Sequence, residues 1–263
     1  MKSMIKREQA KTRFVLQGIS NLFVTKANSI FLIATIAISL FFIIGCIELS
    51  SGDKVNEEIN NPERIKGIVA DGGWDVTVYQ SETANAYVNY RDCYDVTIEV
   101  RNDGYLHLKM KNKIKKHIHK NELKAVVEIP YIEHIKASGA CDISFNGKFE
   151  GNHCKIDLSG ASDVKHFEYY GNTLDLDLDG ASNCSMSGEA NRVKISGNGA
   201  CDIRMYDLTT ETLDINLSGA SDTEITVNER ISGKLSGAST LKYRGNADRS
   251  DLKTSGASDV KKK

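Results

Sequence analysis

In the second half of the chain, apolar and polar side chains alternate over short runs, and a Ser-Gly-Ala motif follows each run. Alternation with a period of two is typical of a β-strand that buries one face and exposes the other. A second alternating run begins after each motif, so each unit reads as a strand, a corner and another strand. The position four residues before each glycine is held by Ile135, Ile156, Leu176, Ile195, Ile215, Gly233 and Leu252. Helical periodicity is scarce after residue 50, so the sequence predicts an all-β fold.

The motif Ser-Gly-Ala-Ser-Asp-Val recurs in seven near-copies, and this repeat determines the predicted architecture. Its glycines are Gly139, Gly160, Gly180, Gly199, Gly219, Gly237 and Gly256. Their spacing of about 20 residues is the period expected of a solenoid in which each repeat forms one coil. We therefore predict a right-handed parallel β-helix, with coils ~4.8 Å apart and the hand taken from the usual rule for parallel crossovers. Glycine permits a positive φ at the corner, and alanine is small enough to stack on its equivalent.

The chain before residue 131 is less regular but is also predicted to be β. Gly72 lies in a degenerate eighth copy, in which Trp74 replaces the small residue after the corner, and we expect this copy to form the first coil. Two alternating runs, 95–100 and 105–110, flank an Asp-Gly turn and predict a β-hairpin. The predicted β-helix domain, 63–263, thus divides into an irregular part, 63–130, and regular repeats, 131–260.

The amino terminus differs in composition from the rest and predicts export. A basic region is followed by an apolar stretch at 30–44, which is shorter than the ~20 residues of a transmembrane helix but typical of a secretory signal. The stretch is followed by Gly45 and Cys46 in a sequence that resembles the lipobox of bacterial lipoproteins, so we expect Cys46 to be lipidated. An uncleaved signal anchor is the alternative. Residues 1–45 are therefore assigned to the signal and 46–62 to a flexible tether.

Composition excludes several other classes. The net charge of the 263-residue chain is −1, which gives no electrostatic reason to expect nucleic acid. The six cysteines show no Cys-x-x-Cys spacing of the kind that binds zinc. Cys141 and Cys201 occupy equivalent positions but lie three coils apart, which is too far for a disulfide. We predict no cofactor.

Four motifs occur in order along the predicted domain. They are Gly73-Trp74-Asp75-Val76, a strand leading to Asp103-Gly104, the motif Val-x-Ile-Pro130, and the serial Ser-Gly-Ala-Ser-Asp-Val, which is the most specific. Together they resemble the bacterial family called putative auto-transporter adhesin, head GIN domain, over about residues 63–260. The resemblance implies a β-helical, exported and often lipid-anchored protein, and it implies no established biochemical activity.

One polar position of the repeat, three residues after the glycine, is a candidate for chemistry. It is occupied by Asp142, Asp163, Asp202, Asp222 and Asp259. A column of carboxylates suggests either Ca²⁺ binding or glycosidic cleavage by a carboxylate pair. We favour a structural role, in which each aspartate closes its corner by accepting hydrogen bonds from serine or backbone donors. An active site would be built once, whereas this position recurs in nearly every coil, so we predict no catalytic and no metal site.

The sequence favours a protein that is not an enzyme. We expect a cell-envelope protein, anchored to the outer membrane by lipid at Cys46, whose β-helical surface serves as an adhesin or binding module for a glycan or protein ligand. Repeated flat faces suit extended binding, and the usual nucleophile and nucleotide motifs do not occur. The alternatives are a carbohydrate-active enzyme on a β-helix and a structural envelope-stress protein. A deep groove with acids and aromatic residues that do not repeat would favour the enzyme.

Overall fold

The computed structural model describes residues 53–112 and 122–263. Within these ranges the chain is built almost entirely of β-strands, with no α-helix and one short 3₁₀ helix, Pro62–Arg64. None of the helical structure in these ranges is long or apolar enough to cross a membrane. The predicted signal and Cys46 lie outside the described residues. The strands are β1 (Lys54–Glu58), β2 (Gly67–Gly72), β3 (Trp74–Gln80), β4 (Asn85–Arg91), β5 (Asp95–Val100), β6 (Tyr105–Asn112), β7 (Leu123–Ile129), β8 (His134–Gly139), β9 (Asp142–Asn146), β10 (Lys148–Leu158), β11 (Asp163–Gly180), β12 (Asn183–Gly199), β13 (Asp202–Gly219), β14 (Asp222–Leu235), β15 (Thr240–Arg244), β16 (Asp248–Thr254) and β17 (Asp259–Lys262).

Successive copies of the repeat pair as parallel strands, with their glycines in register. Gly180 pairs with Gly199, and Gly199 pairs with Gly219. β11, β12 and β13 each run from just after one corner to the glycine of the next, so each forms one turn of the stack. The predicted all-β solenoid of stacked parallel coils is confirmed. Its right-handed sense stays a prediction.

The column four residues before the glycine faces the core, as the alternation predicts. Its members Ile156, Leu176, Ile195 and Ile215 are at most 2% exposed. Each is paired in register with its equivalent in the adjacent coil. The apolar interior is therefore a set of aliphatic columns that run along the stack, and burial of these side chains is the main stabilising term.

One level of the core is aromatic rather than aliphatic. The ring of Phe167 lies 4.3 Å from that of Phe145 and 5.7 Å from that of Phe149, measured between centroids. The register of β11 against β12 shifts just before Phe167, and His166 there has a φ of 57°. Strict alternation from Val164, which is buried, would point His166 inward. The bulge instead exposes His166 and buries Phe167.

A ladder of backbone hydrogen bonds joins the corners of successive coils. The amide of each corner alanine donates to the carbonyl of the glycine in the neighbouring coil, as in Ala200 to Gly180 at 2.7 Å. Gly199 has a φ of 127°, and a Cβ on it would lie 2.2 Å from the carbonyl oxygen of Gly180. Only glycine satisfies both this conformation and this close approach, which explains why the corner repeats it.

The first copy in the sequence is not at the end of the stack. β2 lies between β6 and β8, and β3 lies between β7 and β9, all in parallel pairing. Gly72 pairs with Gly139, so the eighth copy is confirmed as a coil in register. The prediction that it forms the first coil is wrong, because the later strands β6 and β7 add beyond it. The order of strands along the chain therefore differs from their order in the stack. β4 and β5 connect β3 to β6, and the chain then returns to pair β6 with β2 and β7 with β3.

Antiparallel strands cover the outer edge of this end of the stack, and we call β1, β4 and β5 the cap. β4 pairs with β7, β1 pairs with β4, and β5 pairs with β6. The predicted hairpin is thereby confirmed as β5–β6. The tether prediction for 46–62 is wrong over Lys54–Glu58, which forms β1, because pairing with β4 and burial of Ile59 fix this polar segment. The cap leaves no long unpaired edge on β6 and β7.

Candidate functional site

The predicted aspartate column exists, but its contacts differ from the prediction. Asp142 pairs with Asp163, and Asp202 pairs with Asp222, in neighbouring strands. Their carboxylates lie at the surface and contact basic side chains. The ion pairs are Lys165 with Asp142 at 2.6 Å and Asp163 at 3.2 Å, Arg204 with Asp202 at 2.6 Å, Lys242 with Asp222 at 4.0 Å, and Lys261 with Asp259 at 2.7 Å. These cations offset the repulsion between stacked carboxylates.

The corner-closing role assigned to the aspartates is therefore wrong, apart from Asp259, which accepts the amide of Val260 at 2.8 Å. The strand after the corner explains the outcome, because its buried residue four after the glycine, such as Ile203, makes alternation point Asp202 outward. Among the described residues, no three His, Cys, Asp or Glu side chains converge to hold a metal ion.

The corner is closed instead by the serine or cysteine two positions after the glycine. Ser182 is fully buried, and its hydroxyl donates to the carbonyl of Asp179 at 2.8 Å. Cys141 takes the same place, with its Sγ 3.3 Å from the carbonyl of Ser138. The sequence carried a signal for this inward position, since cysteine substitutes for serine only in this column and cysteine is among the most buried residue types.

The buried cysteines are not reactive groups. Burial raises the pKa of the Cys141 thiol to about 11 and that of Cys184 to about 12. Burial also raises the pKa of Cys154 and Cys201. A thiol must ionise to act as a nucleophile, and raised pKa values keep these four thiols protonated near neutral pH, including the corner thiols of Cys141 and Cys201.

An open groove of about 400 Å³ is lined by residues of β6, β8 and β10 and of the segment before β8, and it is the best candidate for a binding site. Its aromatic residues have no equivalents in the repeat, whereas Asn152 belongs to a column with Asn172 and Asn191. The lining residues are Tyr105, Tyr131, Ile132, Glu133, His134, Glu150, Gly151, Asn152, His153 and Lys155. Sequence analysis singled out none of them as a site, because Tyr105 is distant along the chain from the others and the repeat motif does not include them.

One wall of the groove exists because a side chain is missing. Gly67 lies between Tyr105 and His134 in adjacent strands. The Tyr105 ring lies across this glycine, and a Cβ on Gly67 would be only 2.6 Å from the ring. The ring meets His134 edge-on, with 5.3 Å between centroids. Gly67 thus leaves room for the Tyr105–His134 pair at the surface.

The acid at the border of the groove is held in its ionised form. Asp157 accepts a hydrogen bond from Lys155 at 2.9 Å, and its carboxylate lies 2.9 Å from Nε2 of His134. Burial alone would raise the pKa of Asp157, but the hydrogen bonds from Lys155 and His134 outweigh it and lower the pKa. A general acid needs a raised pKa to hold its proton near neutral pH, so Asp157 is poorly suited to that role.

A second titratable group is buried beneath the cap. His107 of β6 is 6% exposed and lies between Val69 of β2 and Glu99 of β5. Neither of its ring nitrogens has a hydrogen-bond partner among the described residues, and the carboxylate of Asp103 is 3.7 Å away. Burial lowers the pKa of His107, and the charge of Arg101 lowers it further. The ring is therefore neutral near pH 7.

Comparison with known proteins identifies a matching family and several solved structures of similar fold. The family model described as "Putative auto-transporter adhesin, head GIN domain" matches residues 65–247. A solved "putative adhesin" from Bacteroides fragilis aligns with a TM-score of 0.71 at 16% identity, over 81% of this chain and 98% of that one. A "putative lipid binding protein" from Parabacteroides distasonis aligns with a TM-score of 0.63 at 14% identity, with the same coverage of 81% and 98%.

A further "putative adhesin" from Parabacteroides distasonis has a TM-score of 0.58 at 18% identity, over 81% of this chain and 98% of that one. No curated protein is significantly similar to this chain. At these identities the solved structures share the β-solenoid fold, and the family match covers most of the solenoid described above. The chain belongs to the putative auto-transporter adhesin, head GIN domain family.

Proposed function

We propose that this protein is an exported, lipid-anchored binding module of the cell envelope that works without catalysis. Membership of an adhesin family carries the proposal. The lipobox-like sequence at Cys46 supports an anchor in the outer membrane, and the predicted signal at 1–45 supports export. The stacked strands then present a rigid surface at the end of the anchor, suited to a glycan or protein partner.

The chemistry of the surface supports binding over hydrolysis. The groove holds acids and aromatic residues that do not repeat, which is the feature expected of a carbohydrate-active enzyme, but it is open rather than deep. Glu133 and Glu150 each lie next to a lysine, and Asp157 has a lowered pKa. A glycosidase needs one carboxyl group kept protonated beside an ionised one. The groove also carries charged and amide groups, which can form hydrogen bonds with a polar ligand.

Anchoring is tested with two cysteine variants of the full-length protein expressed in its own host. Cys46→Ala should abolish labelling by a radioactive fatty acid and release the protein from the outer-membrane fraction. Cys201→Ser is the matched control, because serine occupies the equivalent place in Ser182 and Ser221. If Cys46→Ala keeps its label and fractionates like the control, the anchor is not at Cys46.

Catalysis is tested by incubating the full-length protein with neutral and acidic oligosaccharides and following the reducing ends. We expect no release above that of a heat-denatured sample. Sustained release that disappears in Glu133→Gln or Glu150→Gln would replace the binding function with a hydrolytic one.

A further inference from the structure

The groove combines an exposed aromatic ring with charged and amide side chains. Tyr131 is 45% exposed, and in the described part of the chain the other large apolar side chains of similar exposure are Tyr79 and Tyr87. Those two belong to β3 and β4 and do not line the groove. The Tyr131 ring is therefore accessible to a molecule that enters the groove.

The backbone that carries Tyr131 is fixed in place. The next residue, Ile132, is 2% exposed and anchors the segment in the core. The amide of Glu133 donates to the carbonyl of Lys66 at 2.7 Å, and the carbonyl of Glu133 accepts the amide of Lys155 at 2.9 Å. Because the segment is tied to the stack on both sides, its backbone needs little ordering on binding.

The charges around the groove are balanced pair by pair. The pairs are Lys66–Glu133 at 3.2 Å, Lys148–Glu150 at 3.3 Å and Lys155–Asp157 at 2.8 Å. A phosphate group or a highly charged peptide gains little net attraction from such a surface, since each charge already has its counter-charge.

Several side chains of the groove still have donors and acceptors free to form hydrogen bonds with an uncharged ligand. The exposed Asn152 carries both a donor and an acceptor, and Glu133 retains lone pairs beside its lysine partner. His153 is held by its Nδ1, which lies 2.7 Å from the hydroxyl of Thr173, so its other nitrogen can meet a ligand. Sugar hydroxyl groups both donate and accept, and the C–H face of a pyranose ring packs on an aromatic face.

We infer that this groove binds a neutral saccharide, with one pyranose ring on Tyr131 and its hydroxyl groups bonded by Glu133, Asn152 and His153. The inference rests on the proposed function as a binding module, and it adds the ligand class and the place of binding. The groove's volume of about 400 Å³ lies near the lower end of the roughly 300–1,000 Å³ of small-molecule sites. It therefore holds a short segment of a glycan, and a longer glycan extends out of its open ends.

The test uses the full-length protein in a detergent without a sugar headgroup. It is screened on an array of neutral glycans, and the strongest binders are measured by saturation-transfer NMR and titration. We expect saturation to transfer mainly to the C–H protons of one pyranose ring. Tyr131→Ala should weaken the affinity about tenfold, which corresponds to ~1.4 kcal/mol. Tyr131→Phe keeps the ring and should bind nearly as well as the wild type.

Tyr87→Ala is the matched control, because Tyr87 is also 45% exposed but lies outside the groove. It should bind the same glycans with unchanged affinity. Equal losses in Tyr131→Ala and Tyr87→Ala would overturn the placement in the groove. The ligand class is overturned if no neutral glycan binds. It is also overturned if inorganic phosphate binds to the wild type and this binding is lost in Tyr131→Ala.

Failure of this inference is distinguishable from failure of the proposed function. Attachment of whole cells to immobilised surfaces, compared between wild type and a deletion strain, reports binding by the protein irrespective of ligand class. Attachment that persists in Tyr131→Ala, together with a blank glycan array, would retain the binding module and reject the saccharide groove.

Discussion

The regular repeats and the N-terminal region, residues 53–130, both contain parallel strand pairs. They differ in which parts of the chain form those pairs. In the repeats each turn follows its neighbour in the chain, and each corner binds the next through one glycine–alanine ladder. In the N-terminal region the β2–β3 turn is enclosed by strands from later in the chain, and the antiparallel cap covers the outer edge. Every turn of the repeat presents the same strand edge, so the last turn would leave an unpaired edge open to further strands. A structure that does not repeat is needed to cover that edge.

The same contrast separates the surfaces of the two regions. Along the repeats, columns of aspartate are neutralised by lysine and arginine in a nearly uniform pattern. The groove forms where that pattern is interrupted, since Tyr105 comes from the N-terminal region and Lys155 from the repeats. Function-bearing chemistry in a solenoid is therefore to be sought where periodicity fails. Four experiments probe this contrast, beginning with the largest expected effect.

The first asks whether the two regions unfold together. Phe167→Ala removes the centre of the aromatic level and should lower the free energy of unfolding by about 3–5 kcal/mol, the usual cost of such a cavity. The single tryptophan, Trp74, lies in the enclosed β2–β3 region, so its fluorescence reports on the N-terminal region. Urea unfolding followed by this fluorescence and by circular dichroism should shift equally, because β8 and β9 join the two regions.

Phe167→Leu is the control for this variant and should cost distinctly less, because it leaves a smaller cavity. A Trp74 transition that stays at the wild-type urea concentration while the circular dichroism shifts would mean that the regions unfold independently.

The second experiment compares a corner glycine with one that lies outside the ladder. Gly199→Ala places a Cβ 2.2 Å from the Gly180 carbonyl at a φ of 127°. It should lower the free energy of unfolding by about 2 kcal/mol or more. Gly73→Ala meets no atom within 4 Å and has no positive φ, so it should be neutral or stabilising by up to ~1 kcal/mol. Urea denaturation measures both, and equal effects would refute the corner argument.

The third experiment separates the two columns beside the corner. Ser182→Ala removes a buried hydroxyl that satisfies the Asp179 carbonyl, and should cost about 1 kcal/mol. Asp202→Ala removes a surface ion pair with Arg204 and should cost less, within ~0–1 kcal/mol. Ser182→Cys should be tolerated, since cysteine occupies the same column at Cys141 and Cys201. A larger loss for Asp202→Ala than for Ser182→Ala would return the corner-closing role to the aspartates.

The fourth and smallest effect concerns pH and the N-terminal region alone. Burial lowers the pKa of His107 in the folded state, whereas in the unfolded chain it lies near ~6.5. Below that pH the unfolded state binds a proton that the folded state resists, so stability present near neutral pH is lost as the pH falls. The urea midpoint of the wild type should therefore drop more between about pH 7.5 and about pH 5.5 than that of His107→Leu. Identical pH dependence in the two proteins would contradict a neutral buried ring.

Much of the fold follows from the sequence because its determinants are local and repeated. Alternation placed Ile156 and Ile195 in the core, and the recurring glycine marked each corner, since both depend on backbone geometry that neighbouring residues share. The Asp-Gly turn likewise specified the β5–β6 hairpin without reference to the rest of the chain. Export and lipidation at Cys46 also come from the sequence alone and remain predictions.

Tertiary structure decided what depends on partners distant in the chain. It set the order of turns, because β6 and β7 could add on either side of β2 and β3 without changing any local pattern. It decided which side chain closes the corner, because the hydroxyl of Ser182 reaches the carbonyl of Asp179 only in the folded turn. It also created the groove, because Gly67 brings Tyr105 against His134 across an intervening strand. Periodicity constrains each strand by itself, whereas the neighbours of a strand are determined by the free energy of the assembled stack.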